Sequence, residues 1–141
     1  MRCVAHSLRL SPAVNRILVV DDEKSIVFAL EKYFAQHGFE VDTATDAETA
    51  QALLREHCYA LAILDVHLSG RTDLTEGLDL AAMVRETAPE TAVILMTALG
   101  TPETEQRATE VGAHSFIRKP TRLSSMADIA FGLIGAGVPV A

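Results

Sequence analysis

Short apolar runs alternate with helical periodicities along nearly the whole chain. Ile17-Leu-Val-Val20 is an uninterrupted apolar run and predicts a strand. From Ser25 to His37, the residues Ile26, Leu30, Tyr33 and Phe34 recur at helical spacing. Gly38 stops that helix, and His37 suits its C-terminus. Phe39–Ala44 alternates as a second strand, and Asp46 is the expected N-cap of a helix through Leu53, Leu54 and Glu56. Leu61-Ala-Ile-Leu64 is apolar throughout, as a strand covered on both faces must be, and it runs straight into Asp65. A polar loop from Val66 to Glu76 follows. Gly77 opens a third helix with Leu78, Ala81, Met83 and Val84, which ends before Pro89. Thr91–Met96 reads as the fourth strand, ending at Thr97. Gly100-Thr-Pro102 heads a helix to Glu110, closed by Gly112. Ser115–Ile117 is a short fifth strand, and the last helix spans about Leu123–Leu133.

Strand and helix thus alternate five times. The expected fold class is α/β, a doubly wound five-stranded parallel sheet with helices on both faces, its topology restricted by right-handed crossovers. The expected domain spans residues 16–134, between a loose N-terminal tail, 1–15, and a C-terminal tail, 135–141. The N-terminal stretch is acid-free and carries Arg2, Arg9 and Arg16, but it lacks the unbroken apolar centre of a secretory signal.

Composition narrows the function classes. The chain has 141 residues and a formal charge of −7, with its Arg and Lys scattered, so no basic patch for direct nucleic-acid binding is expected. No apolar run is long enough to span a membrane, and a cytoplasmic location is expected. Cys3 and Cys58 show no metal or redox spacing. Cys58 is expected to pack as a small apolar residue in a reducing compartment.

The candidate chemistry lies just past the strand ends, which share one edge of a doubly wound sheet. That edge collects Asp21, Asp22, Asp65, Thr97 and Lys119. Carboxylates brought together need a cation, and two or three with room for water suit Mg²⁺. Lys119 supplies a compensating charge and a phosphate ligand. Thr97 offers a hydroxyl, and Ala98 leaves space for a tetrahedral group. Taken singly, each residue has an ordinary structural reading: Asp22 as a helix N-cap, Thr97 as a strand-end threonine, Lys119 as a solvated lysine.

Val20-Asp-Asp-Glu23, Leu64-Asp65, Met96-Thr-Ala98 and Phe116-Ile-Arg-Lys-Pro120 together resemble the signature of response-regulator receiver domains, over roughly residues 16 to 134. The resemblance implies a flavodoxin-like three-layer α/β/α fold with strand order 2-1-3-4-5. It implies that Asp65 takes a phosphoryl group from the phosphohistidine of a sensor histidine kinase or phosphotransfer protein. Asp22 and Asp65 would bind Mg²⁺ directly, Asp21 through a water, and His67 through its main-chain carbonyl. Lys119 and Thr97 would hold phosphoryl oxygens. Thr97 and Phe116 would be the switch residues, and the bond between Lys119 and Pro120 would be cis. The output surface for a downstream protein or a homodimer would be the fourth helix, fifth strand and fifth helix. Such a domain is a phosphoacceptor that catalyses its own phosphorylation and slow self-dephosphorylation, rather than an enzyme with a turnover substrate.

The chain departs from the family pattern after the acceptor. Receivers place Pro-Gly there and a helix-opening glycine about eight residues past the acceptor. This chain has Ser69-Gly70, and Gly77 stands twelve past Asp65, which reads as a four-residue insertion within Arg71–Glu76. Two alternatives stand beside the phosphoacceptor reading. A degenerate receiver serving only as a protein-binding module is disfavoured, because every acidic, hydroxyl and lysine position is filled. A Mg²⁺-dependent phosphatase of the haloacid dehalogenase class needs a second aspartate two past the first, where this chain has His67. A nucleotide- or flavin-binding module is disfavoured by the acids after the first strand, which would repel a phosphate.

Overall fold

The computed structural model describes residues 15–69 and 75–135. The elements in chain order are β1 (Arg16–Val20), α1 (Lys24–Gln36), β2 (Glu40–Ala44), α2 (Ala47–Glu56), β3 (Leu61–Asp65), α3 (Glu76–Thr87), β4 (Ala92–Thr97), α4 (Pro102–Glu110), β5 (Ser115–Arg118) and α5 (Leu123–Gly135). The strands form one parallel sheet in the order β2-β1-β3-β4-β5. This is the doubly wound α/β/α fold.

The pleat sorts each apolar run between two cores. Leu18 and Val20, Ala62 and Leu64, and Val93 and Leu95 face one core, which α2, α3 and α4 close with Ala50, Leu78, Ala81, Val84 and Ala108. Ile17 and Val19, Leu61 and Ile63, and Ile94 and Met96 face the other, closed by Val27, Leu30 and Phe34 of α1 and Met126 and Ala130 of α5. All of β3 is buried, which is why its sequence alternates in no way.

Local chemistry sets the ends. The Asp46 carboxylate accepts the Thr49 amide at 2.7 Å as the N-cap of α2. Thr101 caps α4 by accepting the Thr104 amide, with Pro102 just inside the helix. Gly38 closes the turn after α1 at φ 89°, a region other residues avoid. His37 holds the end of α1 by bonding Tyr33 O through Nδ1. β4 begins at Ala92 rather than Thr91, because the Thr91 amide is spent on a turn to Ala88 O and its hydroxyl donates to Tyr59 O. α5 continues past Leu133 to Gly135.

One expectation is corrected. Cys58 is disulfide-bonded and not the free thiol of a reducing compartment. Most of the N-terminal tail, the C-terminal tail after Gly135, and the insertion apart from Thr75 and Glu76 lie outside the described residues. Among the described residues, no helix is long and apolar enough to cross a membrane.

Candidate functional site

The carboxyl ends of β1, β3 and β4 and the loop after β5 meet at one edge of the sheet. Each brings its polar residue because parallel strands all point the same way, so the residue following each strand emerges on the same rim. Asp21 follows β1 and is fully buried; Asp65 ends β3 and is 4% exposed; Thr97 ends β4 and is buried; Asp22 is exposed at the mouth. One carboxylate oxygen from each of Asp21, Asp22 and Asp65 lies within 4.8 Å of the others.

Lys119 is the cation of this cluster. Its Nζ lies 2.7 Å from Asp21 Oδ2, 3.3 Å from Asp65 Oδ2 and 3.4 Å from Glu23 Oε1. The loop carrying it is fastened to β4 by the Lys119 amide, which donates to Thr97 O at 2.8 Å, and the peptide bond to Pro120 is cis. The other oxygen of Asp21 accepts the Glu23 amide at 2.9 Å, and the His67 amide approaches Asp65 Oδ1 at 3.4 Å. Despite its ion pair with Lys119, Asp21 Oδ2 makes no well-directed hydrogen bond, and it is buried.

Crowding of like charge is visible in the proton affinities. Burial, then the charge of Asp21, push the Asp65 carboxyl up to about 7 against the opposing pull of Lys119. Burial and Asp21 raise Asp22 as well. For Lys119, burial works against the charged form, but its close contact with Asp21 and the charges of Asp65 and Asp21 outweigh it and leave the ammonium held above its ordinary value.

Thr97 does not face an open cavity alone; its hydroxyl accepts the Leu99 amide at 3.0 Å. Phe116, opposite Leu95 in the β4–β5 ladder, is half-buried against the core under α2, α3 and α4. Thus Asp21, Asp22, Asp65 and Lys119 are gathered in one cluster, Thr97 and His67 border it, and Phe116 sits outside it on β5, opposite Leu95. The sequence reading gave Glu23 no role, although the third acid of the run after β1 was a visible cue. An open groove of ≈ 540 Å³ adjoins Lys119 and Glu23, walled by Ile26, Ala29, Met96, Pro120 and Met126.

Residues 17–130 match the response regulator receiver domain family. The chain belongs to this family. As a receiver domain it is a component of two-component signalling. It is 32% identical over 111 residues to the transcriptional regulatory protein TctD of Salmonella typhimurium, covering 79% of this chain and 48% of that protein. The chain therefore spans about half the length of the curated relatives it matches. A receiver domain protein (CheY-like) from Methanospirillum hungatei superposes with a TM-score of 0.80 at 23% identity, covering 89% of this chain and 97% of that one. A Burkholderia pseudomallei response regulator, solved with a phosphorylated aspartic acid, a calcium ion and citrate, superposes with a TM-score of 0.75 at 21% identity, covering 86% of this chain and 69% of that one.

Proposed function

We propose that Asp65 is the phosphoacceptor, taking a phosphoryl group from the phosphohistidine of a histidine kinase or phosphotransfer protein. The observation that carries this reading is the placement of Lys119 Nζ between the buried carboxylates of Asp21 and Asp65, at 2.7 and 3.3 Å. A cation so held neutralises charge where a phosphoryl group would add more, and phosphoryl transfer depends chiefly on positioning and charge neutralisation. One Asp65 oxygen bonds to phosphorus as the P–N bond of the phosphohistidine breaks, and the electron pair returns to the imidazole. A carboxylate nucleophile forming an acyl phosphate is an established type. Lys119 and the Thr97 hydroxyl hold the phosphoryl oxygens, Thr97 by donating its own proton, which its bond from the Leu99 amide leaves free.

The residues present fit a divalent cation. Three carboxylate oxygens converge, and the buried Asp21 Oδ2 lacks a well-directed hydrogen bond. Asp22, Asp65 and the His67 carbonyl are the proposed ligands of Mg²⁺, with Asp21 acting through water, a set that suits an ion bound at about 2.0–2.1 Å by oxygens and several waters. Bound there, Mg²⁺ supplies charge stabilisation for the transferring group. Self-phosphorylation from small acyl phosphates and slow self-dephosphorylation belong to the same proposal. So does output through the face of α4, β5 and α5, to a downstream protein or a second copy. Relatives 32% and 35% identical to this chain are transcriptional regulatory proteins of which the match covers just under half, which supports coupling to a separate output domain.

The test is intact mass spectrometry after incubation with Mg²⁺ and acetyl phosphate. The expected result is one added phosphoryl group in the native protein and none in Asp65→Asn. Labelling of Asp65→Asn at the native rate would overturn the assignment.

A further inference from the structure

Glu23 is the third carboxylate on one ammonium. Its Oε1 lies 3.4 Å from Lys119 Nζ, while Asp21 and Asp65 hold the same nitrogen from the buried side. The backbone fixes this approach: the Glu23 amide donates to Asp21 Oδ1 at 2.9 Å, so residue 23 is tied to the site. The side chain itself has another fate. It is 58% exposed, and although Glu23 is the N-cap residue of α1, its carboxylate makes no capping hydrogen bond. It stands at the mouth, where the groove walled by Ile26, Ala29 and Met126 meets Lys119. An apolar wall beside a charge pair weakens screening and strengthens its field.

We propose that Glu23 is a positioning residue that holds Lys119 back from incoming phosphoryl oxygens and so acts as an electrostatic brake on loading by doubly anionic donors. This rests on the reading of Asp65 as acceptor. Lys119 has three donor hydrogens; in the unphosphorylated domain it donates to Asp65 and Glu23 and is ion-paired with Asp21, so three carboxylates crowd its ammonium. A phosphoryl oxygen must displace one. Asp21 and Asp65 are buried and fixed, whereas Glu23 is exposed and swings on a flexible stem, so its contact is the one that yields. Until it does, the Glu23 charge also repels the donor at the entrance. Removing that charge while keeping the side-chain shape frees the ammonium and lowers the repulsion. The size follows from the exposure of Glu23: ion pairs open to solvent alter equilibria by about two- to fivefold.

The experiment compares native protein, Glu23→Gln and Glu23→Asp, each at Mg²⁺ concentrations where the rate no longer rises. The donors are acetyl phosphate, mainly a dianion at neutral pH, and phosphoramidate, which carries less net negative charge. Glu23→Gln is expected to load about two- to fivefold faster from acetyl phosphate, through a lower apparent KM, with a smaller gain from phosphoramidate. The gain should fade as salt is raised to about 0.5 M, where charges are screened within a few ångströms. Glu23→Asp keeps the charge and should stay near the native rate. A gain through altered Mg²⁺ binding has the opposite sign, because removing a carboxylate weakens cation binding. Equal rates in native protein and Glu23→Gln, a fall in rate, or an equal change with both donors that salt does not touch would overturn the proposal. If the native protein takes up no phosphoryl group from either donor, the acceptor reading fails and this one with it.

Discussion

Gly77 lies against the main-chain carbonyl of Asp65 so closely that a Cβ at position 77 would stand 2.0 Å from that oxygen. The Gly77 amide meanwhile donates to Val66 O at 3.0 Å, so the first turn of α3 is clamped onto the last residue of β3 and the one after it. Backbone cannot yield as a flexible side chain can. Gly77→Ala is therefore expected to destabilise the domain by about 1–3 kcal/mol or more, the range of overpacking in a tight core. It should also displace Asp65 and slow phosphorylation. Urea unfolding and acetyl phosphate labelling check both effects; a variant of native stability and rate would show that α3 shifts freely.

The Asp65 carboxyl, raised to about 7 by burial and then by Asp21, carries a pH signature. Its folded pKa lies above the ordinary carboxylate value, so the folded state binds more protons than the unfolded state between about pH 4 and 7. Stability without divalent cation should therefore fall as pH rises through that window and level off above it. Asp65→Asn removes the titrating group and should flatten this slope. Thermal unfolding from pH 5 to 8 decides it, and an equal slope in both proteins would contradict the crowding described here.

A second titration runs the other way. His114 Nδ1 accepts the Val93 amide at 3.0 Å, while the His114 amide donates to Val93 O at 2.8 Å, so one residue continues the β4–β5 ladder with both main chain and side chain. Protonation at Nδ1 destroys the first bond. Burial, and then the nearby Arg85 charge, hold the imidazole below its ordinary value. With a folded pKa beneath the unfolded one, the stabilisation is fully present above about pH 6.5 and is lost as pH falls from there toward the folded pKa. His114→Phe should cost about 1–3 kcal/mol at neutral pH by leaving the amide unpaired, and should remove this acid slope. Unfolding curves at pH 5.5 and 7.5 provide the measurement.

The particular elements show what the chain discloses before it folds. β3 was legible because a strand buried on both faces has to be apolar throughout, and Asp65 because a lone acid after such a run stands out. The cluster of Asp21, Asp22, Asp65 and Lys119 was legible through parallel topology, which sends every strand's last residue to one rim. The sequence reading began β4 at Thr91, and the hydrogen bonds to Ala88 and Tyr59 that remove it come from the folded chain. His114 and Glu23 acquire their partners, Val93 and Lys119, from β4 and from the loop after β5, and no spacing within the chain encodes those contacts. The disulfide state of Cys58 likewise carries no local signal.

The lifetime of an acyl phosphate at Asp65 should depend on Leu99. The resemblance to receiver domains implies that the positions two past the acceptor and two past Thr97 flank the path of attacking water, and here they hold His67 and Leu99. Leu99 is 44% exposed; its amide donates to the Thr97 hydroxyl and its carbonyl accepts the Thr101 amide. An apolar side chain cannot orient water, so slow self-hydrolysis is expected. Leu99→Glu provides an acceptor for the water and should shorten the lifetime. Decay of the labelled protein after removal of acetyl phosphate measures it, and identical lifetimes would remove Leu99 from the account.

The coupling of Asp65 to a distant surface should pass through Thr97 and Phe116. The Thr97 hydroxyl now accepts the Leu99 amide, and swinging toward a phosphoryl oxygen should draw it away from that amide. That release frees the start of the loop into α4, whose Gly100 is overlaid by Arg118 from β5 so tightly that a Cβ there would stand 2.4 Å from Arg118 Nε. β5 also carries Phe116, half-buried against a core that includes Ala108 of α4 and so placed to change its packing when that loop moves. A phosphorylation state can shift this equilibrium only by favouring one arrangement over the other, and the new Thr97 contact is the favouring interaction. Beryllofluoride, which mimics the acyl phosphate, should therefore move the amide resonances of Leu99, Gly100, Phe116 and α5 together. Thr97→Ala should still bind beryllofluoride but leave Phe116 and α5 unmoved. Shifts confined to the neighbours of Asp65 in the native protein, or a Thr97→Ala variant whose Phe116 resonance moves as in the native protein, would break this chain of contacts.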